Sequence, residues 1–277
     1  MGSLVPFAGS AVISKAAAKQ SSDFTGNIRH SVCQWCFGDV PLAYLCERAK
    51  DIGIHSIELL QAEQWDLVQS YGLDCAVGYA NDLGLTKGFN DPDLKDLLIR
   101  DYKAAIRKAH DKGIAQLICF SGNRNGLSDA QGLENCASAL EPVVKLAERY
   151  DVIITMELLN SRIDHLDYQC DRTEWGVALV EKLGSTHFKL LYDIYHMQIM
   201  EGDIIRTITN YKDYISHFHT GGVPGRNEID ETQELNYAAI VNAISSAGYE
   251  GYIAQEFIPS WDNKFEALSK AIEICTL

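Results

Sequence analysis

The sequence predicts an α/β fold, a single-domain (β/α)8 TIM barrel, and three observations lead there. From Arg29 onward, short apolar runs alternate with longer amphipathic ones, giving eight pairs in about 250 residues, the length such barrels usually take. At 277 residues and 47% hydrophobic content the chain can bury one large core, and no linker-like stretch divides it. Finally, ionisable groups stand where several of the apolar runs end, which is where a barrel gathers its active groups. A doubly wound open sheet is the alternative architecture, but no Gly-rich phosphate turn follows the first strand.

The elements follow in order. His30 to Trp35 reads as the first strand, and Pro41 to Ile52 as a helix with Pro at its start. Ser56 to Leu60 is the second strand, followed by a helix from Trp65 to Tyr71. Cys75 to Ala80 is the third, followed by a long helix from Asp91 to Lys112 that opens on Asp91-Pro92. Gln116 to Ser121 and the helix Asp129 to Arg149 make the fourth pair. Val152 to Leu159 is apolar except for Thr155 and Glu157, as a strand buried on both faces should be. Its helix is Arg172 to Leu183. Phe188 to Tyr195 is the sixth strand with a helix at Asp203 to Tyr211. Ile215 to Thr220 is the seventh with a helix at Tyr237 to Ala247, and Gly251 to Ile258 is the eighth, closed by Lys264 to Ile274.

Residues 1–27 differ in kind. Leu4 to Ile13 is a short apolar run and Ser14 to Gln20 carries small residues around Lys15 and Lys19, so the segment is either a disordered leader or the remnant of an export signal. The domain proper is then 28–277. A location in the cytoplasm and export to the periplasm both fit, the second if residues 1–20 are a signal remnant. Eight cysteines without evident pairing favour folding in a reducing compartment. Cys33 and Cys36 form the single CxxC pair, and with no second pair they read as buried thiols rather than zinc ligands.

Lys and Arg number 24 against 38 Asp and Glu, a net charge of −14, and the basic residues are scattered. Nucleic-acid binding needs clustered cations, so the pattern argues against that partner class and none is expected. No run approaches the ~18 apolar residues of a membrane span. A small molecule is the expected partner; a homo-oligomer is compatible with the chain, although no interface pattern marks one.

At the strand ends stand Glu58, Glu157, Asp193, His219 and Glu256, with His196 and Arg226 in the loops beyond. Strands five to eight are neighbours in a barrel, so Glu157, Asp193, His219 and Glu256 should converge. Three carboxylates crowded out of water raise one another's pKa, and a divalent cation relieves that. Three carboxylate oxygens and one imidazole suit Mn²⁺, Mg²⁺, Co²⁺ or Zn²⁺ with positions left for substrate oxygens. A carboxylate inside an apolar strand, as at Glu157 and Glu256, is too costly to be there for packing. For Asp193 a cap on the loop after strand six is the weaker alternative to ligation, and His219 alone would read as an interior histidine. His217 points to the same side as His219, one layer deeper, and suits a barrel-filling or supporting role. Glu58 is either a further site carboxylate, touching substrate, or a group bonded to loop backbone. Arg226 is close enough to His219 in sequence to reach back and hold a substrate oxygen.

Six stretches carry a family resemblance: RHSVCQWCFG at 29–38, MELLNSR at 156–162, LLYDIYHMQIMEGD at 190–203, ISHFHTGGVPGRNE at 215–228, ELNY at 234–237 and YIAQEFIP at 252–259. Together they make the chain similar to the hydroxypyruvate isomerases, within the xylose isomerase-like barrels that also include the ketose 3-epimerases. The resemblance implies metal ligation by Glu157, Asp193, His219 and Glu256, and substrate contact by His196 and Arg226. Two positions depart from the isomerase pattern: Leu158 follows the strand-five glutamate where Pro is usual, and His219 replaces Gln, as in the 3-epimerases. The implied reaction is metal-dependent proton transfer beside a carbonyl, of the hydroxypyruvate to tartronate semialdehyde type, with Glu157 and Glu256 as acid and base. A ketose 3-epimerase and a non-catalytic carbohydrate-binding barrel are the other readings.

Overall fold

The computed structural model describes residues 28–277, so the leader read at 1–27 lies outside it. Eight strands alternate with helices: β1 Arg29–Cys33, β2 Ser56–Glu58, β3 Gly78–Tyr79, β4 Gln116–Cys119, β5 Ile153–Glu157, β6 Phe188–Asp193, β7 Ile215–Thr220 and β8 Tyr252–Gln255. They form one sheet in the order β2-β1-β8-β7-β6-β5-β4-β3, with every pairing parallel. Between β2 and β3 the sheet nearly closes through parallel bridges at Ser56–Asp74 and Leu60–Gly78. The result is the barrel that the alternating pattern predicts.

The helices around it are α1 Leu42–Ile52, α2 Ala62–Ser70, α3 Lys95–Lys112, α4 Asp129–Tyr150, α5 Thr173–Leu183, α6 Ile194–Met200, α7 Ile204–Tyr211, α8 Tyr237–Ser246 and α9 Lys264–Cys275. Each apolar stripe faces the sheet. In α3 the buried positions are Leu98, Tyr102, Ala105, Ile106 and Ala109, the spacing of one helical face. Gly113, at φ 70°, ends α3 by turning its amide back to Ala109 and His110. The longest helix, α4, opens on a capping box in which Ser128 and Gln131 exchange side-chain-to-backbone bonds. All eight cysteines are buried free thiols, Cys33 and Cys36 included.

Most strands are shorter than expected, β2, β4, β5 and β8 each ending two or three residues early, and four further differences have a local reason. β1 stops at Cys33 because Gln34–Phe37 winds into a 3-10 turn. The Cys75 to Ala80 run keeps only Gly78–Tyr79 in the ladder, since Ala76 N–H donates to the Ser56 hydroxyl (2.8 Å) rather than to a strand carbonyl. The Asp91 to Lys112 segment splits, with a 3-10 turn at Pro92–Leu94 before α3. β6 stops two residues short of Tyr195, because the Asp193 carboxylate accepts the His196 amide (3.0 Å) and starts α6, a helix the sequence pattern did not reveal.

Candidate metal centre

The parallel register brings the functional side chains level. Asp193 at the end of β6 pairs with His219 on β7. Next to them, Glu157 ends β5 and Glu256 directly follows β8. One ligand atom from each of Glu157, Asp193, His219 and Glu256 lies within 4.8 Å of the other three. All four are buried; the most exposed, Glu157, keeps 4% of its surface. The convergence expected from the strand ends is therefore present. Alternation along β7 explains the histidine pair: His217 and His219 face the barrel interior, while Phe218 packs outward against Tyr192 and Tyr249.

Arg226 and His196 border the cluster. Thr220 is followed by Gly221 and Gly222, and a side chain at Gly222 would meet the Glu228 carbonyl oxygen at 2.2 Å, so only glycine lets the loop fold back here. Arg226 N–H donates to the Gly222 carbonyl (2.8 Å), with Arg226 in the left-handed region at φ 58°. Its guanidinium then donates to Glu256 Oε2 and to Asp193 Oδ2, the latter at 3.3 Å. His196, fully buried, is oriented by the Asn160 amide at 2.7 Å from its Nδ1, and its Nε2 makes no hydrogen bond and lies 3.6 Å from Asp193 Oδ2.

Glu58 sits elsewhere. Its Oε1 is 2.7 Å from His217 Nε2 and 2.9 Å from His219 Nε2, and the residue is wholly enclosed. These contacts are to side chains rather than to loop backbone, and Glu58 adjoins the cluster through His219. Burial opposes its charge, yet the two imidazoles outweigh that and hold its pKa at about 2.

The charges in the cluster do not balance among themselves. Burial and the neighbouring Glu256 push Glu157 above the usual carboxylate range, and burial pushes Asp193 well above it against the pull of Arg226. Glu256 goes the other way: although it too is buried, His219 and Arg226 hold it well below that range. His219, despite burial, is raised well above the imidazole range by Cys33, Glu256 and Glu157. Glu157 Oε1 is buried with no hydrogen bond, 3.3 Å from His219 Nδ1. An orphaned carboxylate oxygen on Glu157, with both Glu157 and Asp193 opposed in their charged forms, is what a divalent cation would satisfy, and the three oxygens and one nitrogen are a donor set for Mn²⁺, Mg²⁺, Co²⁺ or Zn²⁺. The residues fit the group.

Three contacts at the cluster were not singled out from the sequence. Trp35 donates its indole N–H to Glu256 Oε1 (2.7 Å), and its ring lies 5.1 Å from the Arg226 guanidinium carbon, with Tyr195 at 5.3 Å on that same group. Asn160 orients His196. Trp35 lies between the two cysteines of the CxxC and Asn160 follows the β5 carboxylate by three residues, but neither carries a charge to mark it. A cavity of about 240 Å³ opens at the same end of the barrel, lined by Gln61, Tyr79, Asn81, Asp82 and Phe120 among others. Burial and the charges of Glu256 and Glu157 raise the Tyr79 phenol, so this ring lies within the field of the cluster.

Comparison with known proteins agrees with this architecture. The sequence model of the xylose isomerase-like TIM barrel matches residues 46–275. A hydroxypyruvate isomerase of Escherichia coli K12 is 30% identical over 157 residues, covering 56% of this chain and 60% of that protein, so the chain spans less than two thirds of this curated relative. Among solved structures, a family 2 AP endonuclease of Brucella melitensis superposes with a TM-score of 0.79 at 21% identity, over 89% of this chain and 99% of that one. The D-psicose 3-epimerase of Clostridium cellulolyticum H10, solved with D-tagatose, gives 0.72 at 17% identity, over 90% and 100%. Likenesses at such identity establish the shared fold only. With eight parallel strands closing on one buried cluster and a family match from residue 46 to residue 275, the chain belongs to the xylose isomerase-like TIM barrel family.

Proposed function

We propose that this protein is a metal-dependent isomerase that interconverts a small hydroxy-ketone and a hydroxy-aldehyde, of the hydroxypyruvate to tartronate semialdehyde type. One observation carries the proposal: the four buried ligand atoms of Glu157, Asp193, His219 and Glu256 gather within 4.8 Å at the C-terminal end of the strands. The partial match to the Escherichia coli hydroxypyruvate isomerase supports the reaction class. When bound by these four residues, the cation would supply a Lewis acid for negative charge developing on two neighbouring substrate oxygens.

The chain's own residues do the rest. One of Glu157 and Glu256 takes the proton from the carbon that bears the hydroxyl, and the electron pair of that C–H bond moves into an enediolate. The same glutamate or its partner returns a proton to the former carbonyl carbon, while the hydroxyl proton passes between the two oxygens, so that aldehyde and ketone exchange places. Arg226, held between Trp35 and Tyr195, presents a guanidinium suited to a carboxylate or hydroxyl of the substrate. His196 Nε2, without a hydrogen bond of its own, is available to a substrate oxygen. Burial of the cluster excludes water that would compete for the enediolate.

A ketose 3-epimerase is the second reading, favoured by His219 at the position where the isomerases carry Gln. It differs only in where the proton returns: to the same carbon from the opposite face. Phosphodiester chemistry on DNA is not favoured, since the chain carries a net charge of −14 with scattered basic residues. The deciding experiment is NMR in D₂O with Mn²⁺ or Mg²⁺, with and without chelator, on hydroxypyruvate, tetruloses and hexuloses. Metal-dependent deuterium incorporation beside the carbonyl of one compound, with its isomer appearing, is expected. Exchange on a ketose with inversion at the same carbon would select the epimerase, and no exchange with metal bound would sink both.

A further inference from the structure

We infer that Glu58 is a positioning residue: it accepts a hydrogen bond from His219 Nε2–H and thereby leaves Nδ1 as the one nitrogen of that ring able to ligate a cation. The inference rests on the reading that Glu157, Asp193, His219 and Glu256 hold a metal, and assigns Glu58 to that metal's nitrogen ligand rather than to substrate.

The two ring nitrogens of His219 face different surroundings. Nδ1 points at Glu256 Oε2 (2.9 Å) and Glu157 Oε1 (3.3 Å), inside the four-residue cluster. Nε2 points away from it, at Glu58 Oε1 (2.9 Å), with Cys33 Sγ at 3.8 Å. The same Glu58 oxygen lies 2.7 Å from His217 Nε2. One carboxylate oxygen between two imidazole nitrogens satisfies both only by accepting from both, because an ionised carboxylate has no hydrogen to give. His217 and His219 are then both Nε2–H tautomers, and the free lone pair of His219 lies on the metal side. The ring is also fixed in angle, held at Nε2 by a group that is itself held. Glu58 pairs with Cys33 in the β1–β2 register, and His217 stands one inward position below His219, with ring centroids 5.2 Å apart. All three side chains are fully enclosed, so no water substitutes for any of these bonds. A metal-ligating imidazole whose other nitrogen donates to a carboxylate is a stronger and better-directed ligand, and loss of that carboxylate commonly weakens metal binding.

Without Glu58 the ring is free to take the other tautomer, with Nδ1–H facing the carboxylates and the lone pair turned from the cation. The test uses the full chain and Mn²⁺ alone, with titration calorimetry on wild type and Glu58→Leu, which removes the acceptor oxygen. A loss of about ten- to a hundredfold in affinity is expected. A second measurement needs no variant: heteronuclear NMR of the wild-type chain with nitrogen-labelled histidine and diamagnetic Cd²⁺ reads directly which His219 nitrogen binds. Coupling at Nδ1 with a proton on Nε2 is expected, a signature that a merely space-filling Glu58 would not set. Wild-type affinity in Glu58→Leu, or ligation through Nε2, would overturn the inference alone. A wild-type chain that bound neither cation would overturn the metal reading with it.

Discussion

Glu157 and Glu256 carry the chemistry proposed here, and their surroundings differ in ways that substitutions can read. Glu157→Gln or Glu256→Gln keeps size and shape and removes the proton carrier. Deuterium exchange at the substrate carbon should fall by at least about a hundredfold, as loss of a general base does, with the circular dichroism unchanged. Full exchange in Glu256→Gln would remove the glutamate pair from the mechanism. Trp35 offers a finer test. Trp35→Phe keeps a ring over Arg226 but deletes the indole N–H that Glu256 Oε1 accepts at 2.7 Å. A hydrogen bond to a charged group contributes about 1.5–3 kcal/mol, so kcat/KM should drop roughly ten- to a hundredfold, and an unchanged value would show that the bond does not orient Glu256.

At the scale of elements, the loop after β7 decides whether Arg226 reaches the cluster. Gly222→Ala would place a methyl carbon 2.2 Å from the Glu228 carbonyl oxygen, which is backbone and cannot swing aside. The loop must shift, and Arg226 with it. KM should rise while the barrel's circular dichroism stays as in wild type; unchanged kinetics would mean that the loop geometry is not needed. This loop is tied from a second direction, since Glu228 accepts from the Ser260 amide (2.6 Å), the Ser260 hydroxyl (2.8 Å) and the Trp261 amide (3.0 Å) beyond β8. Two strand-end loops thus hold each other across the mouth of the barrel. The order and kind of the strands and most helices were legible in the sequence, because a buried parallel strand and an amphipathic helix have different apolar periods, whereas the strand ends ran two or three residues too long. The short helix α6 was not: Asp193-Ile-Tyr-His is an apolar continuation of β6 until its carboxylate is seen capping the His196 amide.

For the whole molecule, a cation bound only by the folded state must stabilise it. At Mn²⁺ a hundredfold above its dissociation constant the gain is about 2.7 kcal/mol, which for a domain of this size raises the melting temperature by roughly 5–10 °C. Addition of chelator should reverse the shift, and a melting curve indifferent to metal would count against the site. A second whole-molecule property is pH. His30, buried in β1 with its Nε2 3.1 Å from the Thr276 hydroxyl, has its pKa lowered from 6.5 to about 4, first by burial and then by His55. Above pH 6.5 neither state is protonated there and the residue costs nothing. As pH falls from 6.5 to about 4, the unfolded chain takes up a proton that the folded chain refuses, so stability falls with decreasing pH. The loss reaches about 3 kcal/mol in total. Denaturant unfolding at a series of pH values should show it in wild type and lack that part in His30→Gln; equal pH dependence would clear His30.

The sequence by itself determined the barrel and the carboxylates at its strand ends, because each follows from local pattern: periodicity, and the cost of a carboxylate in an apolar strand. Tertiary structure decided what those residues touch. That Glu58 lies against His217 and His219, that Trp35 bonds Glu256, and that Asn160 orients His196 join positions 36 to 221 residues apart. No local pattern encodes such contacts, since they arise only when parallel register sets separate strands level and buried polar atoms must then find partners within reach.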